Sequence, residues 1–159
     1  MKLYLAQHGL ALGKDEDPQR PLSETGRQEV ECLARMLGAA GVRVQRVWHS
    51  GKPRALQTAL CLARRVMPRG QVEELAGLGP NDPVAEFIAD ADVWQEDTLV
   101  VGHLPFMARL VSLLLLQDAQ AELVVFQPGS VLCLERIDHD RWVLIWMLRP
   151  ELCSKGSTA

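Results

Sequence analysis

The chain has 159 residues, of which 48% are hydrophobic and 23% charged, the composition of a globular domain with one sizeable core. Seventeen basic and twenty acidic side chains give a formal charge of −3, which argues against a broad basic surface that binds nucleic acid through its phosphates. The longest apolar stretch, 110–116, contains Ser112 and is far shorter than the roughly 20 residues that cross a bilayer. We therefore expect a soluble, cytoplasmic protein with neither a nucleic-acid nor a membrane partner.

The cysteines show none of the short Cys/His spacings that are typical of zinc sites. In a reducing compartment such thiols act as small buried hydrophobic groups, so we expect no structural metal and no disulfide. The four residues are Cys32, Cys61, Cys133 and Cys153.

The first predicted element is a short buried strand over residues 3–7, which ends at His8. A helix is expected to follow Ser23, because serine is a good N-cap and the apolar residues after it recur at helical spacing. These apolar positions are Val30, Leu33, Ala34 and Leu37. Gly38 and Gly41 are predicted to end this helix.

Apolar and polar residues alternate over 42–48, which predicts a second strand. Pro53 is favoured at the first position of a helix, and residues 68–70 would stop that helix. Its predicted inward positions are Leu56, Ala59, Leu60 and Ala63. Asp82 and Pro83 form a cap-and-first-turn pair for a further helix. The predicted apolar face of this helix is Val84, Phe87, Ile88 and Ala91.

A continuous apolar run over 98–101 predicts a buried strand, and a helix is predicted over 106–116. Two further strands, 131–137 and 142–147, flank a short polar turn and indicate a hairpin. Strands that alternate with helices predict an α/β three-layer sandwich. Its central sheet would be mostly parallel, with helices on both faces and a C-terminal antiparallel hairpin.

Ligands in such sheets bind beyond the carboxyl ends of the strands, where His8, Ser50 and His103 are predicted to lie. Both histidines are next to a glycine and begin loops. Arg54 falls in the first turn of the following helix, so its guanidinium would point at the same edge. Unpaired N–H groups at helix amino termini also favour an anion. The combination is suited to a phosphoryl group.

Four segments of the sequence resemble the motifs of the histidine phosphatase superfamily. Residues 7–9, Gln-His-Gly, are similar to its Arg-His-Gly signature, and residues 50–58 resemble its Ser-x-x-x-Arg-Ala-x-x-Thr motif. Residues 102–105, Gly-His-Leu-Pro, match the second-histidine motif of the bacterial phosphohistidine phosphatases of the SixA type. Residues 19–26 are similar to the Arg-Pro-Leu-(Ser/Thr)-x-x-Gly stretch of that subgroup.

The resemblance implies a phosphoglycerate mutase-like fold, with a single histidine phosphatase domain over 1–150 and a polar, frayed tail over 151–159. It implies a hydrolase that needs no cofactor and no metal, because protein side chains neutralise the charge that magnesium neutralises elsewhere. The implied partner is a phosphorylated protein, such as a histidine phosphotransfer domain in signal transduction, or a small phosphorylated compound. Since the chain has no insertion that would form a lid, a shallow, exposed site is expected.

The same resemblance assigns roles to individual residues. His8 would be the nucleophile and form a phosphohistidine intermediate, which requires a neutral imidazole. His103 would donate to a phosphoryl oxygen, and Arg54 would supply charge-assisted hydrogen bonds. Further substrate contacts are implied for Gln7, Gly9, Arg20 and Ser50. His49 also ends a strand but is expected to lie outside the machinery.

Two departures from the family pattern bear on the reaction. Gln7 stands where the signature has arginine, so it can donate hydrogen bonds but brings no charge. Residues 77–80, Gly-Leu-Gly-Pro, occupy the stretch where ester-cleaving relatives carry an acid, and only Glu73, Glu74 and Asp82 lie nearby. A departing imidazole, with a pKa of about 6.5, needs such an acid far less than an alkoxide does.

These departures favour phosphohistidine as the substrate. The first alternative is a phosphatase or mutase for small phosphate esters, with Glu74 or Asp82 as the acid. The second alternative is a non-catalytic phosphate-binding domain, which the neutral Gln7 suggests.

Overall fold

The computed structural model describes residues 1–89, 95–138 and 141–153. The strands are β1 (Lys2–Gln7), β2 (Arg46–His49), β3 (Val72–Glu74), β4 (Thr98–Gly102), β5 (Val131–Asp138) and β6 (Arg141–Leu148). The helices are α1 (Glu24–Ala39), α2 (Pro53–Val66), α3 (Val84–Ala89) and α4 (Phe106–Leu116), followed by a 3₁₀ turn at Pro150–Leu152. No helix within the described residues is long and apolar enough to span a membrane.

The six strands form one sheet in the order β3-β2-β4-β1-β5-β6. β3, β2, β4 and β1 are parallel to one another, whereas β5 runs antiparallel to β1 and β6 antiparallel to β5. Gln7 is paired with Gly102 and His49 with Val101, so three strands end at the same edge of the sheet. This topology confirms the predicted α/β fold, including the C-terminal hairpin.

Each face of the sheet is covered by its own hydrophobic core. Successive residues of a strand point to opposite faces. Leu5 therefore packs in the core that contains Phe106 of α4, and Ala6 packs in the core that contains Val30 of α1 and Ala59 of α2. The two layers of helices confirm the three-layer arrangement, and they fix the direction in which the residues after each strand can project.

Helix α1 follows the sequence prediction closely. The Ser23 side chain caps it by accepting a 3.0 Å hydrogen bond from the Gly26 amide, and the four predicted apolar positions are buried. A Cβ at Gly26 would collide with the Leu10 backbone, so the loop after β1 lies directly on the first turn of α1. The helix continues through Gly38 to Ala39, and Gly41 adopts the left-handed conformation at a φ of 76°.

The strand predicted over 42–48 is shorter than expected, because only Arg46–His49 joins the ladder. Two preceding amides bond outside the sheet instead: Val44 N donates to Val66 O at the end of α2, and Gln45 N donates to Asp97 O. β3 was not predicted, since a three-residue edge strand is too short to show a period in the sequence.

The buried face of α2 is rotated relative to the prediction. Leu60, predicted to point inward, has 43% of its surface exposed, whereas Leu62 is buried with Ala55, Ala59 and Val66. Those four residues follow i, i+4, i+7 and i+11 spacing, which is an uninterrupted helical stripe. Leu56 is only half-buried beside it.

Helix α3 buries Val84 and Phe87 as predicted, and Ala91 lies outside the described residues. Asp82 does not cap this helix: its Oδ2 accepts a 2.7 Å hydrogen bond from the Gly79 amide and closes the preceding turn. At the other end of the chain, Pro150 is buried and opens a 3₁₀ turn that runs to Leu152, two residues into the tail that the sequence predicts to be polar and frayed.

Candidate active site

The ends of β1, β2 and β4 bring together the residues that follow them, His8, Ser50 and His103. The centroids of the two imidazole rings are 4.9 Å apart, with their planes tilted by 57°. The Oγ atom of Ser50 lies 2.6 Å from Nε2 of His103. The structure therefore places these predicted site residues in one cluster at the carboxyl edge of the sheet.

The position of His8 and its tautomer are both determined by neighbouring backbone groups. Its amide donates to Gly102 O at 3.0 Å, and its Nδ1 lies 2.8 Å from Gly9 O. A carbonyl oxygen can only accept a hydrogen bond, so Nδ1 carries the proton and Nε2 carries the lone pair. Nε of Arg54 donates to Nε2 at 3.1 Å. The nitrogen with nucleophilic character therefore faces the arginine.

Both imidazoles are neutral near pH 7. The pKa of His8 is lowered to about 4, mainly by burial and to a smaller extent by the charges of Arg54 and Arg20, although the bond to Gly9 O acts in the opposite direction. Burial likewise lowers the pKa of His103 to about 3, with contributions from His8, Arg54 and Lys52. A neutral His8 is what nucleophilic attack on phosphorus requires.

The fixed charges that act on this histidine pair are positive. They come from Arg54 in the first turn of α2, from Arg20 and from Lys52. Arg20 is exposed, adopts a φ of 51°, and donates through Nε to Leu12 O at 3.2 Å. Burial and the nearby Arg20 charge also lower the pKa of Arg54. Such a cluster of cations is favourable for a doubly charged anion.

Gln7 lies behind the nucleophile with 7% of its surface exposed. Its Oε1 is buried and has no hydrogen-bond partner among the described residues. The backbone of this segment is held by the 129–130 turn, since Ser130 O accepts from Gln7 N and Gly129 N donates to the carbonyls of Gln7 and His8. The backbone at the end of β1 is thus held by hydrogen bonds to the 129–130 turn, whereas the side-chain oxygen of Gln7 has no partner among the described residues.

Thr58 has a positioning role that the sequence analysis did not identify. Its Oγ1 accepts a 3.0 Å hydrogen bond from the Gly9 amide and donates to Arg54 O at 2.8 Å. One buried hydroxyl therefore joins the loop that carries His8 to the helix that carries Arg54. The signal was available, because Thr58 is the last residue of the quoted 50–58 motif.

Gly9 is predicted to contact substrate, and the structure shows a separate packing reason for a glycine at this position. Its N–H group is taken by Thr58, and a Cβ at this position would lie 2.7 Å from Cγ2 of Val30 and 3.0 Å from Cδ2 of Leu22. Glycine is needed here because the loop packs directly on α1.

The three candidate acids lie along β3 and the turn after it. Glu73 accepts a 3.3 Å hydrogen bond from the indole N–H of Trp48, and Asp82 is bonded to the Gly79 amide. Glu74 is exposed, and its carboxylate lies against Gly51. None of the three is among the charges that shift the pKa of His8 or His103. Of the three, Glu74 is the one whose carboxylate lies against the loop that follows β2.

His49 is buried, and its ring serves the loop that follows β2. Nδ1 accepts a 3.0 Å hydrogen bond from the Gly51 amide, and the backbone carbonyl accepts from Leu75 N. Burial lowers its pKa, whereas the charge of Glu74 raises it. His139 lies outside the described residues. Within the described ranges, no group of three or more His, Cys, Asp or Glu residues could hold a metal ion.

Comparison with known proteins agrees with this arrangement. The family model for the histidine phosphatase superfamily (branch 1) matches residues 3–79. An uncharacterised protein of Picosynechococcus sp. is 32% identical over 113 residues, which are 66% of this chain and 67% of that protein.

Two solved structures show the same fold over nearly the whole chain. The protein histidine phosphatase SixA, complexed with tungstate, aligns with a TM-score of 0.84 and 24% identity, over 96% of this chain and 99% of its own. The α-ribazole phosphatase of Shigella flexneri aligns with a TM-score of 0.77 and 17% identity, over 94% and 97% of the two chains. Together with the family match and the paired histidines, these findings show that the chain is a phosphatase that belongs to the histidine phosphatase superfamily.

Proposed function

We propose that this phosphatase removes the phosphoryl group from phosphohistidine on a signalling or phosphotransfer protein, with His8 as the nucleophile. The observation that carries the proposal is the separation of charge at the site. Cations act on the two imidazoles, whereas Glu73 and Asp82 are bonded to groups away from them. The site is therefore suited to a phosphoryl anion whose leaving group needs no acid.

In the first step, the Nε2 lone pair of His8 attacks phosphorus, and the P–N bond to the substrate imidazole breaks. The leaving ring can take a proton on its other nitrogen from solvent, because an imidazole titrates at a pKa of about 6.5, and with that proton it departs as neutral imidazole. An alkoxide would have to take a proton from an acid in the same step. The proposed reaction thus places a smaller demand on the carboxylates of β3.

The hydrogen bond from Nδ1 of His8 to Gly9 O supports the second step as well. It keeps a proton on the phosphorylated ring, which is then cationic and a good leaving group. Water attacks phosphorus, the bond to Nε2 breaks, and both protons of the water leave with the phosphate. His8 returns to the tautomer in which it began.

Arg54 and His103 supply the electrostatic part of the mechanism. The Nε–H of Arg54 lies at the nucleophilic nitrogen, so its guanidinium can pass to the phosphoryl oxygens as phosphorus approaches. His103 and Ser50 form a hydrogen-bonded pair beside the His8 ring. Donors that are already in place cost little reorganisation when charge develops in the transition state.

The surface next to His103 is compatible with a protein substrate. Leu104 and Val125 have 37% and 74% of their surfaces exposed, and both line a groove between α4 and the loop before β5. Arg109 lines the same groove. An exposed apolar surface beside a reacting group favours contact with another folded protein.

The test is phosphate release from a phosphorylated histidine phosphotransfer domain and from an aryl phosphate. We expect kcat/KM to be at least a hundredfold higher for the protein. Val125→Glu should lower only the rate with the protein, whereas Leu144→Glu, at an exposed position on β6, should change neither rate. Equal rates for the two substrates would contradict the proposal.

Glu74 favours a second candidate function, the hydrolysis of small phosphate esters. Its carboxylate lies against Gly51, one residue from Ser50, and is the best placed of the three acids. If it protonates an alcohol, Glu74→Gln should lower kcat/KM for sugar phosphates or phosphoglycerate by more than a hundredfold, with Glu73→Gln as the control. A phosphohistidine phosphatase should tolerate both changes.

A further inference from the structure

The substitution of the signature arginine by Gln7 leaves the site one cation short. Gln7 is buried and neutral, and its Oε1 has no partner within the described part of the chain. A phosphoryl group in transfer carries charge on three oxygens, which calls for several positive groups around it. The missing charge would have to come from a cation at a position that the family motif leaves variable.

Lys52 occupies the centre of the loop that contacts both histidines. At one end of this loop Ser50 Oγ is 2.6 Å from Nε2 of His103, and at the other end Arg54 Nε is 3.1 Å from Nε2 of His8. Lys52 is exposed, in an extended conformation (φ −68°, ψ 141°), and it makes no side-chain capping bond to α2.

The positive charge of Lys52 also acts on the histidine pair. The pKa of His103 is lowered mainly by burial, then by the charges of His8 and Arg54, and last by the charge of Lys52. No ion pair engages its ammonium group within the described residues. A long, flexible side chain with a free ammonium group can move onto an anion that enters the site.

We propose that the Lys52 ammonium group binds a non-bridging oxygen of the phosphoryl group and supplies the charge that Gln7 does not. The inference rests on the phosphatase reaction of the family and not on the identity of the leaving group. Lysine binds phosphate as a point charge, which suits an exposed position at the edge of the site. Lys52 and a residue at position 7 would then act as alternatives for the same charge.

A double-mutant cycle tests this substitution of one cation for the other. The variants are Lys52→Met, Gln7→Arg and the double variant, and the readouts are the Kd for tungstate and kcat/KM for an aryl phosphate. At low salt, Lys52→Met should weaken tungstate binding and lower kcat/KM ten- to fiftyfold. In the Gln7→Arg background, Lys52→Met should change the Kd for tungstate and kcat/KM by less than threefold.

Two controls define the result. Arg69→Met removes one exposed charge beyond the far end of α2 and should change neither readout by more than twofold. Lys52→Arg keeps the charge and should stay within threefold of the parent, which tests the proposal even if Gln7→Arg fails to fold. Salt should reduce the loss in Lys52→Met, because the group is exposed.

Unchanged tungstate binding in Lys52→Met would overturn the proposal. The proposal would also be overturned if Lys52→Met lowered kcat/KM equally with glutamine and with arginine at position 7. Tungstate has no leaving group, so this readout is independent of the proposed substrate. If Lys52→Met weakens tungstate binding but the parent protein does not hydrolyse phosphohistidine, the result would support the role of Lys52 and contradict the proposed substrate.

Discussion

The phosphoryl site and the acidic border along β3 lie at the same edge of the sheet but differ in charge and burial. In the phosphoryl site, His103 is 2% exposed, and the charges acting on it and on His8 are positive. Along β3, Glu73 and Glu74 are exposed. In the proposed mechanism the first region binds and transfers the phosphoryl anion, whereas the carboxylates of the second region are candidates for a source of protons.

The difference between the two regions indicates that this site is better suited to nucleophilic attack on a phosphoryl group than to protonation of a leaving group. In the proposed mechanism, charge neutralisation and nucleophilic attack are provided by residues that are bonded to one another at the strand ends. Protonation of a poor leaving group would require Glu74 to act from outside that network. A site of this kind favours a leaving group that departs without help.

The largest expected effect is that of His8→Ala, which removes the proposed nucleophile of the first region. Turnover should fall below detection, because His8 is the group proposed to form the covalent intermediate. When the parent reaction is quenched without acid, mass spectrometry should place the phosphoryl group on His8. Label on His49 or His139, or full activity in the variant, would show that the wrong histidine has been assigned.

Arg54→Ala should lower kcat/KM by roughly a hundred- to a thousandfold, the range found when a preorganised donor to a developing anion is removed. Steady-state kinetics on the phosphorylated protein and the aryl phosphate would measure it. Arg64→Ala is the matched control, since Arg64 lies on the same helix, exposed and far along the chain from the site. A loss below tenfold would mean that the first region does not depend on this cation.

Gln7→Arg should raise kcat/KM by roughly three- to thirtyfold. A neutral hydrogen bond contributes about 0.5–1.5 kcal/mol and a charge-assisted one about 1.5–3 kcal/mol. The difference of about 1–2 kcal/mol corresponds to approximately one decade in rate. Loss of all activity would mean that Gln7 has a positioning role, and activity gained from an undetectable baseline would favour the non-catalytic alternative.

The difference between the two regions also shows what the sequence could reveal. The paired histidines, Ser50 and Arg54 each follow a predicted strand or open a predicted helix, so topology alone placed them together. The short strand β3 and the inward face of α2 were harder to predict. A strand of three residues is too short to show the alternation of apolar and polar side chains. In α2, two neighbouring stripes of the helix surface are almost equally apolar, so tertiary packing determines that Leu62 is buried and Leu60 exposed.

Hydrogen-bond partners and side-chain directions were beyond sequence reasoning. The 50–58 motif includes Thr58, but nothing in the chain order indicates that its partner is the Gly9 amide, or that Gly9 is required by its contact with Val30. The same holds for Asp82, which looked like a helix cap but closes a turn with Gly79. Such roles depend on distances between elements that are far apart in sequence.

The buried imidazoles of the first region should make the protein less stable in acid. An unfolded histidine has a pKa of about 6.5, whereas the folded pKa values are about 4 for His8 and about 3 for His103. Below pH 6.5 the unfolded state binds more protons, so the free energy of unfolding falls as the pH decreases toward 4. Urea denaturation at pH 7 and pH 5 should show a smaller decrease in a His8→Asn/His103→Asn variant than in the parent.

The smallest expected effect belongs to His49, which lies on the boundary between the two regions. It ends a strand as Gln7 and Gly102 do, but its ring accepts from the Gly51 amide and is influenced by Glu74 rather than by the arginines. His49→Ala should therefore leave kcat/KM within a few-fold of the parent, while the loss of a buried hydrogen bond lowers the free energy of unfolding by about 1–3 kcal/mol. His49→Asn, which retains an acceptor, should recover part of that stability. A hundredfold loss of turnover with tungstate binding intact would mean that His49 takes part in the chemistry. His49 would then belong to the phosphoryl site and not to its boundary with the acidic border.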